Sequence, residues 1–171
     1  AIGYCALLSN TTGISNVAIG IYALSKTAAG VGNIGIGYGS LCSNLNADNN
    51  IALGSQTLAR NTTGNNNVAV GQQALNSNTV GLSNIAVGLQ ALFYNVSGNS
   101  NTALGLQALN KNTASNNTAV GDLALYNNTT GTPNDAFGYQ ALYSNTTGYA
   151  NVAIGYQTQY ANTTGIQNTA V

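Results

Sequence analysis

The chain has 171 residues, three basic and three acidic side chains, no His, Met or Trp, and zero formal net charge. Charged residues are 4% of it, against about 25% in ordinary soluble domains. This balance excludes nucleic acid held by phosphate neutralisation and gives no electrostatic grip on anionic membranes; no apolar run reaches the ~18 residues of a membrane span, so no membrane insertion is expected in this segment.

From the N-terminus, glycines recur at Gly3, Gly20, Gly37, Gly54, Gly71, Gly88, Gly105, Gly121, Gly138 and Gly155. The spacing is seventeen residues throughout, except that Gly105 to Gly121 is one shorter. The unit G-x-x-A-L-x-x-N-T-T-G-x-x-N-V-A-I fills the chain about ten times. A fixed period of this size predicts one supersecondary coil, repeated and stacked. The expected fold is all-β: a single parallel β-solenoid (β-roll) domain over 1–171, about ten coils and about 50 Å long at ~4.8 Å per rung. The chain opens inside the motif at Ala1-Ile2-Gly3 and closes inside it at Thr169-Ala170-Val171, and reads as a segment of a longer fibre.

Within each unit, four residues after the glycine, comes a leucine column: Leu7, Leu24, Leu41, Leu58, Leu75, Leu92, Leu109, Leu125 and Leu142, with Gln159 at the end. Helix is excluded for A-L-x-x-N, because glycine arrives within about six residues on either side and helices run ~8–20. Next, N-T-T-G predicts a turn in which glycine supplies positive φ and asparagine bonds its own backbone. The short unit loses its residue here, between Asn112 and Asn117. An asparagine then stands in all ten units: Asn16, Asn33, Asn50, Asn67, Asn84, Asn101, Asn117, Asn134, Asn151 and Asn168. Stacked at ~4.8 Å, such amides can hydrogen-bond from rung to rung as a structural ladder.

The unit closes on N-V-A-I, β-branched and alternating, which predicts a short strand. Its last residue is always apolar, from Ile19 and Ile36 to Ile154 and Val171, and together with the leucines is expected to form the interior. The residue before it is Ala in every unit but one, where it is Gly35, which implies a close backbone or a narrow lumen. The first strand residue should share a face with the last. It is Val or Ile in six units but Asp135 in one, so this column lies at a partly wet seam or the strand bends there. Tyr4, Tyr38, Tyr139, Tyr156, Phe93, Tyr126, Tyr143 and Tyr160 sit outside the narrow coil, and that much aromatic surface suggests a partner. Side-by-side association, a parallel homotrimer or homodimer, would bury it.

Chemistry-bearing residues are sparse. Asp48, Asp122 and Asp135 occupy three different places in the unit, and no cluster suggests catalysis, a metal or a cofactor. Cys5 and Cys42 lie two units apart, roughly 10 Å at two rungs, too far for a disulfide between them, and are expected as small buried side chains. Sequons place possible glycosylation at Asn10, Asn61, Asn95, Asn116, Asn127, Asn128, Asn145 and Asn162.

Asn16-Val17-Ala18-Ile19-Gly20, Asn67-Val68-Ala69-Val70-Gly71 and Asn151-Val152-Ala153-Ile154-Gly155 resemble the repeat of YadA-like head domains in trimeric autotransporter adhesins. The fuller unit Gly138-Tyr139-Gln140-Ala141-Leu142-Tyr143-Ser144-Asn145-Thr146-Thr147-Gly148 is similar to repeats of phage and virus tail fibres. The resemblance implies a left-handed parallel roll, three laterally associated chains, a cell or virion surface, and adhesion or fibre building without catalysis. The unit here is longer than the adhesin head's, by an N-T-T-G insertion. The functional expectation is therefore an extracellular structural or adhesive fibre, not an enzyme, whose partner is a surface glycan or host receptor. The alternatives are a filament subunit growing end to end, or a β-solenoid binding glycan or, through Thr11-Thr12, Thr62-Thr63, Thr129-Thr130, Thr146-Thr147 and Thr163-Thr164, ice.

Overall fold

A computed structural model describes all residues, Ala1–Val171. Each coil contributes one short strand: β1 (Val17–Ile19), β2 (Ile34–Ile36), β3 (Ile51–Leu53), β4 (Val68–Val70), β5 (Ile85–Val87), β6 (Thr102–Leu104), β7 (Asn117–Val120), β8 (Asn134–Phe137), β9 (Asn151–Ile154) and β10 (Thr169–Ala170). They form one parallel sheet in strict chain order, β1 through β10, with no crossover. Pairing is in register from coil to coil, Val68 on Ile85, Ala69 on Ala86, Val70 on Val87. Across the short unit the register survives, Thr102 on Thr118 and Ala103 on Ala119, so the missing residue is absorbed in the turn. The protein is an all-β parallel solenoid with a repeat of seventeen residues and no helix.

The rest of each coil is a chain of turns, yet it is hydrogen-bonded to its neighbours nearly as fully as the strand. Of 109 backbone hydrogen bonds, 21 lie within the strands. The remainder include a rung-to-rung series all the way round: Leu75 N–H to Ala91 O, Ser77 N–H to Phe93 O, Thr79 N–H to Val96 O and Gln90 N–H to Gln72 O. Parallel pairing at every side of the coil answers the backbone's obligatory need for partners.

The core corrects one sequence expectation. The leucine column is interior, with Leu24, Leu41, Leu58, Leu75, Leu92, Leu109, Leu125 and Leu142 fully buried. The last strand residue is not: Ile19, Ile36, Val87, Phe137 and Ile154 are each more than a third exposed. The alanines between the outer residues fill the lumen instead, Ala18, Ala52, Ala69, Ala86, Ala103, Ala119, Ala136 and Ala153, facing the alanines that precede the leucines. Alternation on a strand forces this choice. Either the alanine points in or its two branched neighbours do, and the lumen holds only one leucine and two alanines per coil. Gly35 shows how tight it is: a Cβ there would lie 3.1 Å from Ser40 Oγ and 3.2 Å from Leu24 Cγ, and Ser40 stands where most coils have alanine and two have threonine. The first strand residue therefore also faces out, and Asp135 is half exposed, with no buried charge to compensate.

The turn chemistry also differs from expectation. Positive φ falls not on the turn glycine but two residues after its place, on Ser15, Asn49, Asn66, Ser83, Ser100 and Asn116, and on the core leucines themselves (Leu75 φ 51, Leu92 φ 53). The turn glycines Gly64, Gly81 and Gly148 are held by crowding: an added Cβ would collide with a buried asparagine amide and the next coil's carbonyl. Where Ala47 occupies this place, the adjacent amide bridge, Asn61 Nδ2 to Asn44 Oδ1, stretches to 3.5 Å, against 2.9 Å one coil on. The repeat-defining glycines are constrained twice. Gly71 has φ +121, which L-residues rarely adopt, and a Cβ would sit 2.7 Å from Gly88 O. Gly71→Ala is expected to lower the unfolding midpoint sharply, by roughly 3 kcal/mol or more of stability, whereas Gly39→Ala, whose Cβ would meet only Gln56 Cγ at 4.0 Å, should cost about 1 kcal/mol for its φ of +61. Urea unfolding followed by circular dichroism measures both.

Candidate interaction surfaces

Three amide columns run along the rod, two inside and one outside. In the first, Asn84 donates from its backbone N–H (2.9 Å) and Nδ2 (3.1 Å) to Asn67 Oδ1, and Nδ2 also reaches Gly98 O at 2.8 Å. The same triplet recurs for Asn33, Asn67, Asn101, Asn134 and Asn151, Asn50 keeps the two bonds to Asn33 Oδ1, and Asn16 and Asn168 stand at the ends. At the short unit Asn117 keeps its backbone bond to Asn101 Oδ1 (3.0 Å), but its Nδ2 turns to Asn112 Oδ1 (3.2 Å). Eight of these residues, Asn33 to Asn151 in the series, are only 0–1% exposed, which removes them from ligand contact.

The second column, the asparagine of N-T-T, reads in the sequence only as turn and sequon. In the fold it is a ladder: Asn78 Nδ2 to Asn61 Oδ1 at 2.9 Å, Asn95 to Asn78 at 3.1 Å, Asn128 to Asn112 and Asn145 to Asn128 at 2.8 Å. Each also clamps its own turn, as Asn95 Nδ2 does Gly98 O at 2.9 Å. The ladder breaks at the short turn, where Asn112 spends its Nδ2 on Ala114 O and Asn95 Oδ1 is left without a partner, and again between Asn145 Oδ1 and Asn162 Nδ2, both unpaired. Asn61, Asn95, Asn128 and Asn145 are thus sequon asparagines with no solvent access in the folded rod. Of the other four, Asn10 and Asn116 are exposed, Asn127 and Asn162 half-buried, and Asn127 Oδ1 accepts from Lys111 Nζ at 2.9 Å. The third column is glutamine. Gln73 Nε2 donates to Gln56 Oε1 (3.1 Å), Gln90 to Gln73 and Gln107 to Gln90 (2.9 Å), and Gln157 to Gln140 (2.7 Å). Identical amides at seventeen-residue spacing were its signal in the sequence.

Threonine hydroxyls are partly committed to the fold. Thr62 Oγ1 donates to Thr79 O at 2.9 Å, and Thr11, Thr79, Thr113, Thr129 and Thr146 do likewise to the next coil. Only the second threonine of each pair remains to face water, and that rank is broken by Val80 and Ser97. A regular hydroxyl face for ice is not formed.

The outer strand face is the largest apolar feature. Val17, Ile34, Ile51, Val68 and Ile85 line one side, and Ile19, Ile36, Leu53, Val70, Val87, Leu104, Val120, Phe137 and Ile154 the other, half-buried to exposed along the whole sheet. One residue past each glycine, Ile21, Tyr38, Leu89, Leu106, Tyr139 and Tyr156 are exposed too. Tyrosines stack in ranks: Tyr126 on Tyr143 and Tyr143 on Tyr160, centroids 5.4 and 5.1 Å apart and nearly parallel, and Tyr139 on Tyr156 at 5.4 Å. Lys111 Nζ lies 5.1 Å from the Tyr126 ring centroid, a cation–π contact.

Titratable groups are spent on structure. Asp48 Oδ1 accepts the Val31 N–H at 2.7 Å and Asp122 Oδ1 the Leu106 N–H at 2.8 Å. The Tyr4 phenol is pushed above its ordinary range, first by a hydrogen bond with the Cys5 thiol and then by the Cys5 and Tyr22 charges. Cys5 and Cys42 are free and half-buried, less enclosed than expected. No group of three His, Cys, Asp or Glu side chains converges as a metal site, and no helix is long and apolar enough to cross a membrane. Comparisons with protein-family models, curated proteins and solved structures return no match.

Proposed function

We propose that the chain is a structural segment of an extracellular fibre, of the adhesive or virion-borne kind, in which parallel copies pack side by side as a homotrimer. The observation that carries this reading is the outer strand face, apolar along one side from Ile19 to Ile154 and along the other from Val17 to Ile85, beyond which Thr102, Thr118 and Asp135 interrupt it. Ten rungs at ~4.8 Å and a strand width of about 10 Å give a footprint near 450 Å². That is within the range of the largest apolar patches on single proteins, which commonly mark interaction sites.

It falls short of the ~800 Å² per partner of a standard stable interface. Two chains facing each other would therefore be held weakly. Three chains around one axis give each chain two neighbours, so side chains flanking the face are buried along with it. The near absence of charge supports close packing, because few ionised groups would need desolvation between chains. Surface placement and adhesion follow the likeness of N-V-A-I-G to adhesin heads and tail fibres, and no reaction is assigned to the chain.

Sedimentation equilibrium tests the reading. The expected mass is three times the 17.3 kDa of one chain. Val70→Lys together with Val87→Lys, both on the outer face, should yield a monomer with an unchanged β-type dichroism spectrum. A monomeric parent chain at high micromolar concentration, or a trimer untouched by the two lysines, would sink the proposal.

A further inference from the structure

The glutamine ladder has an open end, and a cavity lies at it. An opening of about 300 Å³ on the outer wall spans the second to fourth coils. Its volume is at the low end of small-molecule sites. Its floor is low because Ser25, Cys42 and Ala59 hold the place that Phe93, Tyr126, Tyr143 and Tyr160 fill further along. It is open because Gly39 interrupts a column that carries Tyr22 in the coil before and Gln56 in the coil after.

Nothing in the backbone asks for glycine at 39. Its φ is +61, and Tyr22 (φ 59) and Gln56 (φ 54) adopt the same conformation with full side chains. Nor does crowding: an added Cβ would meet only Gln56 Cγ, at 4.0 Å. The consequence of the missing side chain is the opening itself. In the ladder each glutamine gives its Nε2 to the preceding Oε1, as Gln73 does to Gln56. Gln56 has no such acceptor before it, because position 39 has no side chain, so its amide donor is left to the cavity.

The walls are the Tyr22 and Tyr38 rings, centroids 6.4 Å apart and nearly perpendicular, so the cavity meets one ring's face and the other's edge. At the rim is Lys26, exposed, and none of the chain's three carboxylates lines the cavity. The free polar groups are thus an ammonium and an amide N–H, both donors, with the two phenol hydroxyls, which donate and accept, beside aromatic surface. We propose that this cavity binds an acidic sugar residue, its ring laid on the tyrosines and its carboxylate held by Lys26 Nζ and Gln56 Nε2. A charge-assisted bond sets the preference for the acidic over the neutral sugar.

The test is a nuclear magnetic resonance titration of the whole chain with D-glucuronate, with D-glucose as the neutral probe. Saturable shifts are expected at Tyr22, Tyr38, Gly39 and the Gln56 side-chain amide, with glucuronate binding about ten-fold tighter than glucose. Lys26→Gln should remove that preference. Gly39→Gln restores the side chain the next coils carry at the same φ, and should weaken binding at least about ten-fold while leaving the remaining spectrum in place. The assignment is overturned by equal affinity for the two sugars, by unchanged binding in Gly39→Gln, by the absence of saturable shifts, or by shifts that follow protein concentration alone, which would mean a second copy of the chain seated in the cavity.

Discussion

Asn84→Asp is expected to destabilise the rod more than Asn84→Ala, and to do so more at neutral than at acidic pH. The Asn84 N–H and side chain take part in five hydrogen bonds: three donated, to Asn67 Oδ1 twice and to Gly98 O, and two accepted from Asn101. Alanine removes the side-chain bonds and leaves the Asn101 N–H and amide, and Gly98 O, short of partners in a dry interior. At about 1–3 kcal/mol for each of the three buried groups left unpaired, the loss is roughly 3–9 kcal/mol. Aspartate keeps the shape and the two accepted bonds but cannot donate when ionised, and it brings a charge into a site with no cation near it. Burial then raises its folded-state pKa above the unfolded value of about 3.9. The sign follows: the unfolded chain loses its proton first, so the penalty grows as pH rises from about 4 and levels off above the raised folded-state value. Urea unfolding of the parent, alanine and aspartate chains at pH 4 and pH 7 measures this. An aspartate variant no less stable at pH 7 than at pH 4 would mean the ladder is wet.

That ladder and the stacking were legible in the sequence for one reason. Parallel hydrogen bonding between successive coils demands equal coil lengths and like residues at like places, so the period is the fold written out. The short unit was legible as well, because a deletion at Asn112–Asn117 leaves the Thr102–Thr118 register intact.

The interior was legible only in part. Hydrophobicity points to Ile19, Ile36 and Val87 as core, but burial on a coil this narrow is decided by volume. The better signal was the column that never exceeds alanine. The left-handed conformation of the leucines had no signal at all: leucine has no preference for φ near +50, and the tertiary stack imposes it on Leu75 and Leu92 alike. The second ladder was obscured because Asn61, Asn95, Asn128 and Asn145 also spell sequons, and the cavity because glycine at 39 looks like any other glycine in a chain with twenty-one.

Leu92→Ala should cost about 3–5 kcal/mol, the upper part of the range for such truncations, since the site has little freedom to collapse. Leu92 is fully buried between Ala91, Ala86 and Ala103 in the alanine-lined core, and the coils on both sides are pinned by hydrogen bonds, Leu92 N–H to Ala108 O among them. Leu7→Ala, in the half-buried first coil, should cost about 1 kcal/mol, because its site is already open to water. The chain itself offers a control: the last coil has Gln159 in the leucine column, half-buried, its Nε2 bonded to Val152 O at 3.0 Å and its Oε1 unpaired. Leu92→Gln, with coils on both sides, should be worse than Leu92→Ala. Because each coil touches only its neighbours, the damage is also local. Amide hydrogen exchange in Leu92→Ala should lose protection first in β5 and β6, with β2 and β9 less affected. Uniform loss of protection along the rod would mean that it unfolds as one cooperative unit, and that adjacent-coil contacts alone do not describe its stability.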